Sequence, residues 1–245
     1  SRGRKASKRT IIEKSLYEEE KLKKSILPIG LDIILELRRV LWEETDWNSK
    51  EGADSKGIWI ATGLGYDSGD RVSNVTLKDG PTASDHCIRA RQVNLEVLNK
   101  LTGDTNVVVG GEAFRDHVKG IDFSVTSITL DYLTSKTAHK KAILNVDNEG
   151  DSLLINDLVE WILRSGVLGC DELTTRYFDG KRKVITSQSV RSAIKTCCIS
   201  FGLNPDKFST KSLRSGFTTQ YAVSGANKVE RNAQGGWKKG SVIPD

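Results

Sequence analysis

Methionine is absent from the 245 residues, and cysteine, histidine and proline are scarce at four, three and four. The scarcity of cysteine and histidine closes classes of function. Cys87, Cys170, Cys197 and Cys198 offer no CxxC or Cys/His ligand spacing, and an adjacent pair makes a poor disulfide or zinc framework, so all four read as reduced core residues. His86, His117 and His139 are too scattered for a metal site, and the acids show none of the clustering that a two-metal nuclease needs. No apolar run approaches the roughly 18 residues of a membrane span, and no charged segment precedes an apolar one at the start. Transmembrane and secretory readings fall away, no membrane partner is expected, and the expected location is intracellular, the nucleus included. The missing methionine, with a first residue of Ser1, reads as a fragment of a longer chain.

What is present is uneven charge. Residues 1–10 carry Arg2, Arg4, Lys5, Lys8 and Arg9 with no acid, which accounts for the whole formal net charge of +5. Within the neutral remainder, residues 181–245 hold twelve bases against three acids. About a quarter of the chain is therefore strongly basic, which points to a polyanion partner; the plainer alternative is a solvated basic face. The length suits one large domain or two small ones, and 37% apolar residues suffice for a core.

Residues 1–10 read as an arm or linker without periodicity. An exposed helix is expected over Ile11 to Lys24, stopped by Pro28, and a core-facing helix over Leu31 to Glu44. Residues 48–56 read as a polar loop, Gly57 to Gly63 as an apolar stretch, and Gly63 to Gly69 as a glycine-punctuated turn before a short amphipathic stretch, Arg71 to Leu77. The segment His86 to Val97 is strand or helix; its periodicity does not decide. Over Ser124 to Val146, Ile128, Leu130 and Tyr132 alternate with Thr129, Asp131 and Leu133, and a basic turn through Thr137 to Lys141 makes this a β-hairpin. Helices follow over Ser152 to Ser165, closed by Gly166; over Ser187 to Phe201, capped by Thr186; and over Lys211 to Ser224, capped by Ser209 or Thr210. Asp179-Gly180 marks a turn. The expected class is mainly α with a small antiparallel β-sheet (α+β).

In the last of these helices Leu213, Phe217 and Tyr221 face the core at i, i+4, i+8, which puts Lys211, Arg214 and Thr218 on another face. Two cations near a helix N-terminus oppose the macrodipole and call for an anion, of which phosphate is the obvious candidate.

The segment STKSLRSGFTTQYAVSGANKVERNAQGGWKKGS, residues 209–241, resembles the C-terminal signature of tyrosine recombinases, in which an HxxR helix and a glycine turn lead to a His or Trp shortly before a nucleophilic tyrosine. On that match Arg214 is the second catalytic arginine, Lys211 takes the His position and Trp237 the His/Trp position. SGDRVSNV, residues 68–75, matches the upstream box with Arg71 as the first arginine, and TSKTAHKKAILNV supplies the hairpin lysine as Lys136, with Lys140 and Lys141 as rivals. Order and spacing agree from Gly57 to the C-terminus. Three positions depart from the pattern: Lys211 replaces His, Asn74 stands where an acid is usual, and no tyrosine follows Trp237 before Asp245.

The resemblance implies a tyrosine recombinase catalytic-domain fold over residues 11–245, preceded by a linker and lacking both the N-terminal core-binding domain and the nucleophile segment. It implies a DNA strand transferase working through a covalent 3′-phosphotyrosyl intermediate. Its partner would be double-stranded DNA, on which the family self-associates into a synaptic tetramer. Arg71 and Arg214 would hold the oxygens that gain charge in the phosphorane, Lys136 would protonate the leaving 5′-oxygen, Lys211 would donate to a nonbridging oxygen or take part in proton transfer, and Trp237 would donate its indole N–H. The arm residues with Lys140, Lys141, Lys238 and Lys239 would contact DNA phosphates. No cofactor is implied. Trp237 and the basic arm are similar to eukaryotic mobile-element recombinases more than to bacterial ones. The other reading of the same residues is a non-catalytic DNA-binding module descended from such an enzyme. A dinucleotide loop at GLGYDSG fails on glycine spacing and on the lack of a βαβ pattern.

Overall fold

The structure, a computed structural model, describes residues 26–69, 71–77, 87–132, 140–145 and 153–225. The expected helix over residues 11–24 lies outside them. Helix α1, Leu31–Arg38, runs directly into a wider π-type turn over Arg39–Glu43, where the Glu44 amide reaches back five residues to the Arg39 carbonyl at 3.0 Å. The segment read as one helix to Glu44 thus changes pitch halfway.

Helix α2, Lys50–Asp67, overturns two readings at once: the polar loop over residues 48–56 and the turn beginning at Gly63 are one helix of 18 residues. Ser49 starts it, its hydroxyl accepting from the Gly52 amide at 2.9 Å. Twelve of its residues are buried, so no single apolar stripe exists to be read from the sequence. Its glycines serve close packing. A Cβ at Gly57 would lie 2.8 Å from both Ile185 Cγ1 and Trp161 Cη2, and one at Gly63 would lie 2.6 Å from Leu154 Cδ1. Even Lys56 is buried: its ammonium donates to the Trp42 carbonyl and stands over the Trp42 and Trp47 rings at 4.8 and 5.2 Å.

Against this helix pack α4, Leu153–Arg164, α5, Ser187–Ser200, and α6, Thr210–Val223. Asp157 of α4 ties the layers together, accepting from Arg38 Nε at 2.8 Å, Arg38 Nη2 at 2.9 Å and Trp59 Nε1 at 2.7 Å. The sheet is antiparallel in the order β2-β1-β3-β4, with β1 Val93–Asn99, β2 Thr105–Val109, β3 Phe123–Tyr132 and β4 Lys140–Asn145. Ile128, Leu130 and Tyr132 are buried, as their alternation requires. The ambiguous segment ends as a 3-10 turn, Ala90–Gln92, followed by β1. Helix α3, Gly111–His117, joins β2 to β3. Asp179 and Gly180, at φ 49° and 68°, close a second hairpin of β5, Thr175–Phe178, and β6, Lys181–Val184. The class is α+β, mainly helical with a small antiparallel sheet. Of the cysteines, Cys87, Cys197 and Cys198 are buried, but Cys170 is exposed in the turn before β5 and fills no core.

Candidate functional site

Helix α6 is anchored at its N-terminus by a reciprocal cap. The Ser209 hydroxyl accepts from the Lys211 amide at 3.2 Å, and the Ser212 hydroxyl accepts from the Ser209 amide at 3.0 Å. The incoming chain straps this end in place: the Leu27 amide donates to the Lys207 carbonyl at 2.8 Å and the Ile29 amide to the Ser212 carbonyl at 3.1 Å. Leu213 and Phe217 are buried, and the Tyr221 ring lies 4.6 Å from that of Phe217. Lys211 is exposed and Arg214 half-buried. Thr218, expected beside them on a polar face, is instead buried with its hydroxyl on the Arg214 carbonyl at 2.9 Å, so the polar face is one turn long.

Arg71 precedes a 3-10 turn, Val72–Asn74, and is exposed. The chain after it is tied down on three sides. The Ile88 amide donates to the Asn74 carbonyl at 2.7 Å, the Thr174 hydroxyl to the Val75 carbonyl at 2.6 Å, and the Leu77 amide to the Ile185 carbonyl at 3.1 Å. A fixed backbone under an exposed guanidinium suits binding of an oxyanion.

The two arginine segments meet across the end of α2. A Cβ at Gly65 would lie 3.0 Å from Val72 Cγ2 and 3.2 Å from Leu213 Cδ1, each one residue from an arginine. At Gly69, where φ is 61° and α2 has ended, a Cβ would lie 2.6 Å from the Phe217 ring, one turn beyond Arg214. Residues that read from the sequence as a glycine-punctuated turn are thus spacers that let Val72 pack beside Leu213. The signal was the glycine pair itself, read for chain reversal when it served packing.

The electrostatics set Arg71 apart. Arg71 and Arg91 make no side-chain hydrogen bond or ion pair to a described residue, whereas Arg38, Arg39, Arg89, Arg115, Arg164, Arg176, Arg182 and Arg191 are held by carboxylates, carbonyls or an amide. The Lys211 ammonium is likewise without a bond among the described residues. Lys140 and Lys141 pair in register with Tyr132 and Asp131 at the end of β4 nearest the hairpin tip. Lys136, the arm residues Arg2, Arg4, Lys5, Lys8 and Arg9, and Trp237, Lys238 and Lys239 lie outside the described residues.

Asp67 closes α2 two residues before Gly69. Burial pushes its carboxyl from 3.8 up to about 7, and no donor or cation among the described residues offsets that. Below about pH 7 the carboxyl is held in its neutral form by burial. Between the two values the folded chain keeps a proton that the unfolded chain releases, so stability falls as pH rises through this window. Asp67→Asn should therefore raise the melting temperature at pH 8 and leave it unchanged at pH 4. About 1–2 kcal/mol is expected once partial solvent access is allowed for, and thermal unfolding across pH measures it. A gain at pH 4 as large as that at pH 8 would show that the carboxyl is not the cause.

No family model matches the sequence, and no curated protein matches it. Among solved structures, the chain is similar to a mutant Flpe–DNA Holliday junction complex, at a TM-score of 0.44 and 12% identity over 94% of this chain. It spans about half of that chain, 52%.

Proposed function

We propose that this chain is the catalytic portion of a DNA strand transferase of the tyrosine recombinase type. One observation carries the reading: segments 143 residues apart in sequence, each bearing one of the two motif arginines, pack against each other across Gly65 and Gly69, with the Arg71 guanidinium exposed and without a partner among the described residues. Two planar guanidiniums on rigid supports suit the nonbridging oxygens of one phosphodiester, and they hold those oxygens more tightly as charge builds in the transition state. Lys211 adds a third positive charge at the head of α6. Lys136 is assigned as the general acid for the leaving 5′-oxygen and Trp237 as an indole donor, both on the strength of their motif positions. The nucleophilic tyrosine would follow Asp245. Residues 1–10 act as the linker, residues 11–245 as the catalytic domain, and assembly on DNA as a synaptic tetramer completes the proposal.

The non-catalytic reading is favoured by one observation, the Lys at position 211 where the family pattern has His. Both readings require DNA binding through phosphates, and filter binding across a salt series tests that first. Affinity for duplex DNA should fall linearly on a log–log plot against salt. Arg71→Ala and Arg214→Ala should each weaken binding uniformly across sequences and reduce the slope by about one. Absent or salt-independent binding would remove both readings.

A further inference from the structure

We propose that a cavity at the opposite end of α2 from Arg71 is a second anion site, built for a ligand carrying linked phosphates. It is an open pocket of about 280 Å³ between the β5–β6 hairpin and the start of α2, with Lys50, Arg176, Phe178, Lys181 and Lys183 among the residues that line it. Asp179 is the one acid that lines it. The 18 residues of α2, at about 1.5 Å each, set this end roughly 25 Å from Asp67, so no single phosphate can touch both sites.

Strand register explains the concentration of charge. Arg176 pairs with Lys183 and Phe178 with Lys181. Residues two apart on a strand share a face, so one face of the hairpin presents three cations beside an aromatic ring. Tyr177 and Arg182 take the other face, where Arg182 is held by Asp171 at 3.0 Å and Glu172 at 2.6 Å.

The cations fall into two groups. Arg176 is 2% exposed, and its Nε donates to Asp54 Oδ1 at 2.6 Å; Lys183 holds the other oxygen of the same carboxylate at 2.5 Å. A single carboxylate therefore serves two cations, the buried Arg176 and the exposed Lys183. Lys50 and Lys181 are exposed and make no hydrogen bond or ion pair among the described residues. Lys50 also heads α2, where a cation opposes the helix dipole. Like charges gathered round a concave space repel unless an anion enters it.

The uncompensated charge is that of two free ammoniums plus the surplus of Arg176 and Lys183 over Asp54, less the Asp179 carboxylate, which leaves about two positive charges. Two successive phosphate groups supply at least this much negative charge and fit the volume, whereas a single phosphodiester, with one negative charge, leaves a cation unmatched. The Phe178 ring, with the Arg176 guanidinium 5.6 Å from its centre, offers a wall against which a base can lie. Linked phosphates reach the cavity either as a free nucleoside polyphosphate or as a nucleic-acid backbone. The inference does not depend on how Arg71 and Arg214 are read.

Isothermal titration of the chain with inorganic pyrophosphate, adenosine triphosphate and a short DNA duplex separates the outcomes. Pyrophosphate should bind, and Lys50→Ala and Lys181→Ala should each weaken it about tenfold, while Lys100→Ala, at an exposed lysine outside both sites, leaves it unchanged. Both lysines are exposed, so the variants should keep the far-ultraviolet circular dichroism of the parent. Tighter binding of the nucleotide than of pyrophosphate, lost in Phe178→Ala, identifies the free nucleotide as the source. Displacement of pyrophosphate by the duplex identifies the backbone. Failure of pyrophosphate to bind at millimolar concentration overturns the proposal, as does equal loss of its binding in Lys100→Ala. If Lys50→Ala and Lys181→Ala weaken only the duplex, the lysines belong to a general nucleic-acid surface and the proposal also fails.

Discussion

In a longer chain that continues past Asp245, Arg214→Ala should abolish covalent trapping on a nicked suicide substrate, from which loss of the short flanking strand prevents religation. Removing a single preorganised donor from a developing oxyanion costs on the order of 10²–10³ in rate, and a guanidinium that gives two charge-assisted bonds should cost at least that much. Arg71→Ala should behave alike. The loss must appear in trapping at DNA concentrations that saturate binding, since both arginines also contribute to affinity. Lys136→Ala should slow cleavage and be rescued by a sulfur leaving group at the 5′ position, which needs no proton. If rescue follows Lys211→Ala instead, the general acid is Lys211 and the proposed assignments exchange. A longer chain with no tyrosine, or one that binds DNA and never traps, makes the non-catalytic module the better reading.

How far the residues themselves announced this arrangement depends on how each element meets water. α5 and α6 are legible because polar caps at Thr186 and Ser209 bound a half-wetted stripe: Val190, Ile194, Leu213 and Phe217 are buried and the opposite faces are not. The β3–β4 hairpin is legible for the same reason in period two. α2 was illegible because burial on nearly every side erases the period, and glycines at 52, 57, 63 and 65 imitate a loop. β2 was missed because it is an edge strand with Val107 and Val109 exposed, running directly into two glycines. In the site, Arg214 followed from helical spacing near a capped N-terminus. The seam that packs Val72 beside Leu213 could not be read, since nothing local distinguishes a glycine that turns the chain from one that admits a neighbour.

Gly69→Val tests that seam directly. The residue sits at φ 61°, a conformation that costs a β-branched side chain about 1–2 kcal/mol, and its Cβ would lie 2.6 Å from the Phe217 ring, which adds roughly 1–3 kcal/mol of overpacking. Gly103 is the internal control, because its φ is 77° but a Cβ there meets nothing within 4 Å. Gly103→Val should show the conformational cost alone. The difference between the two variants therefore isolates the contact between the end of α2 and α6. Gly69→Val should lose about 2–4 °C of melting temperature for each kcal/mol, and more in all than Gly103→Val. Because Phe217 lies one turn from Arg214 and Gly69 two residues from Arg71, relief of the clash moves the two arginines apart, whereas Gly103 is remote in sequence from both. DNA affinity at low salt should accordingly fall in Gly69→Val and hold in Gly103→Val, measured well below each variant's melting temperature. Equal losses in both would mean that the two arginine segments do not meet there, and the phosphate clamp would lose its structural basis.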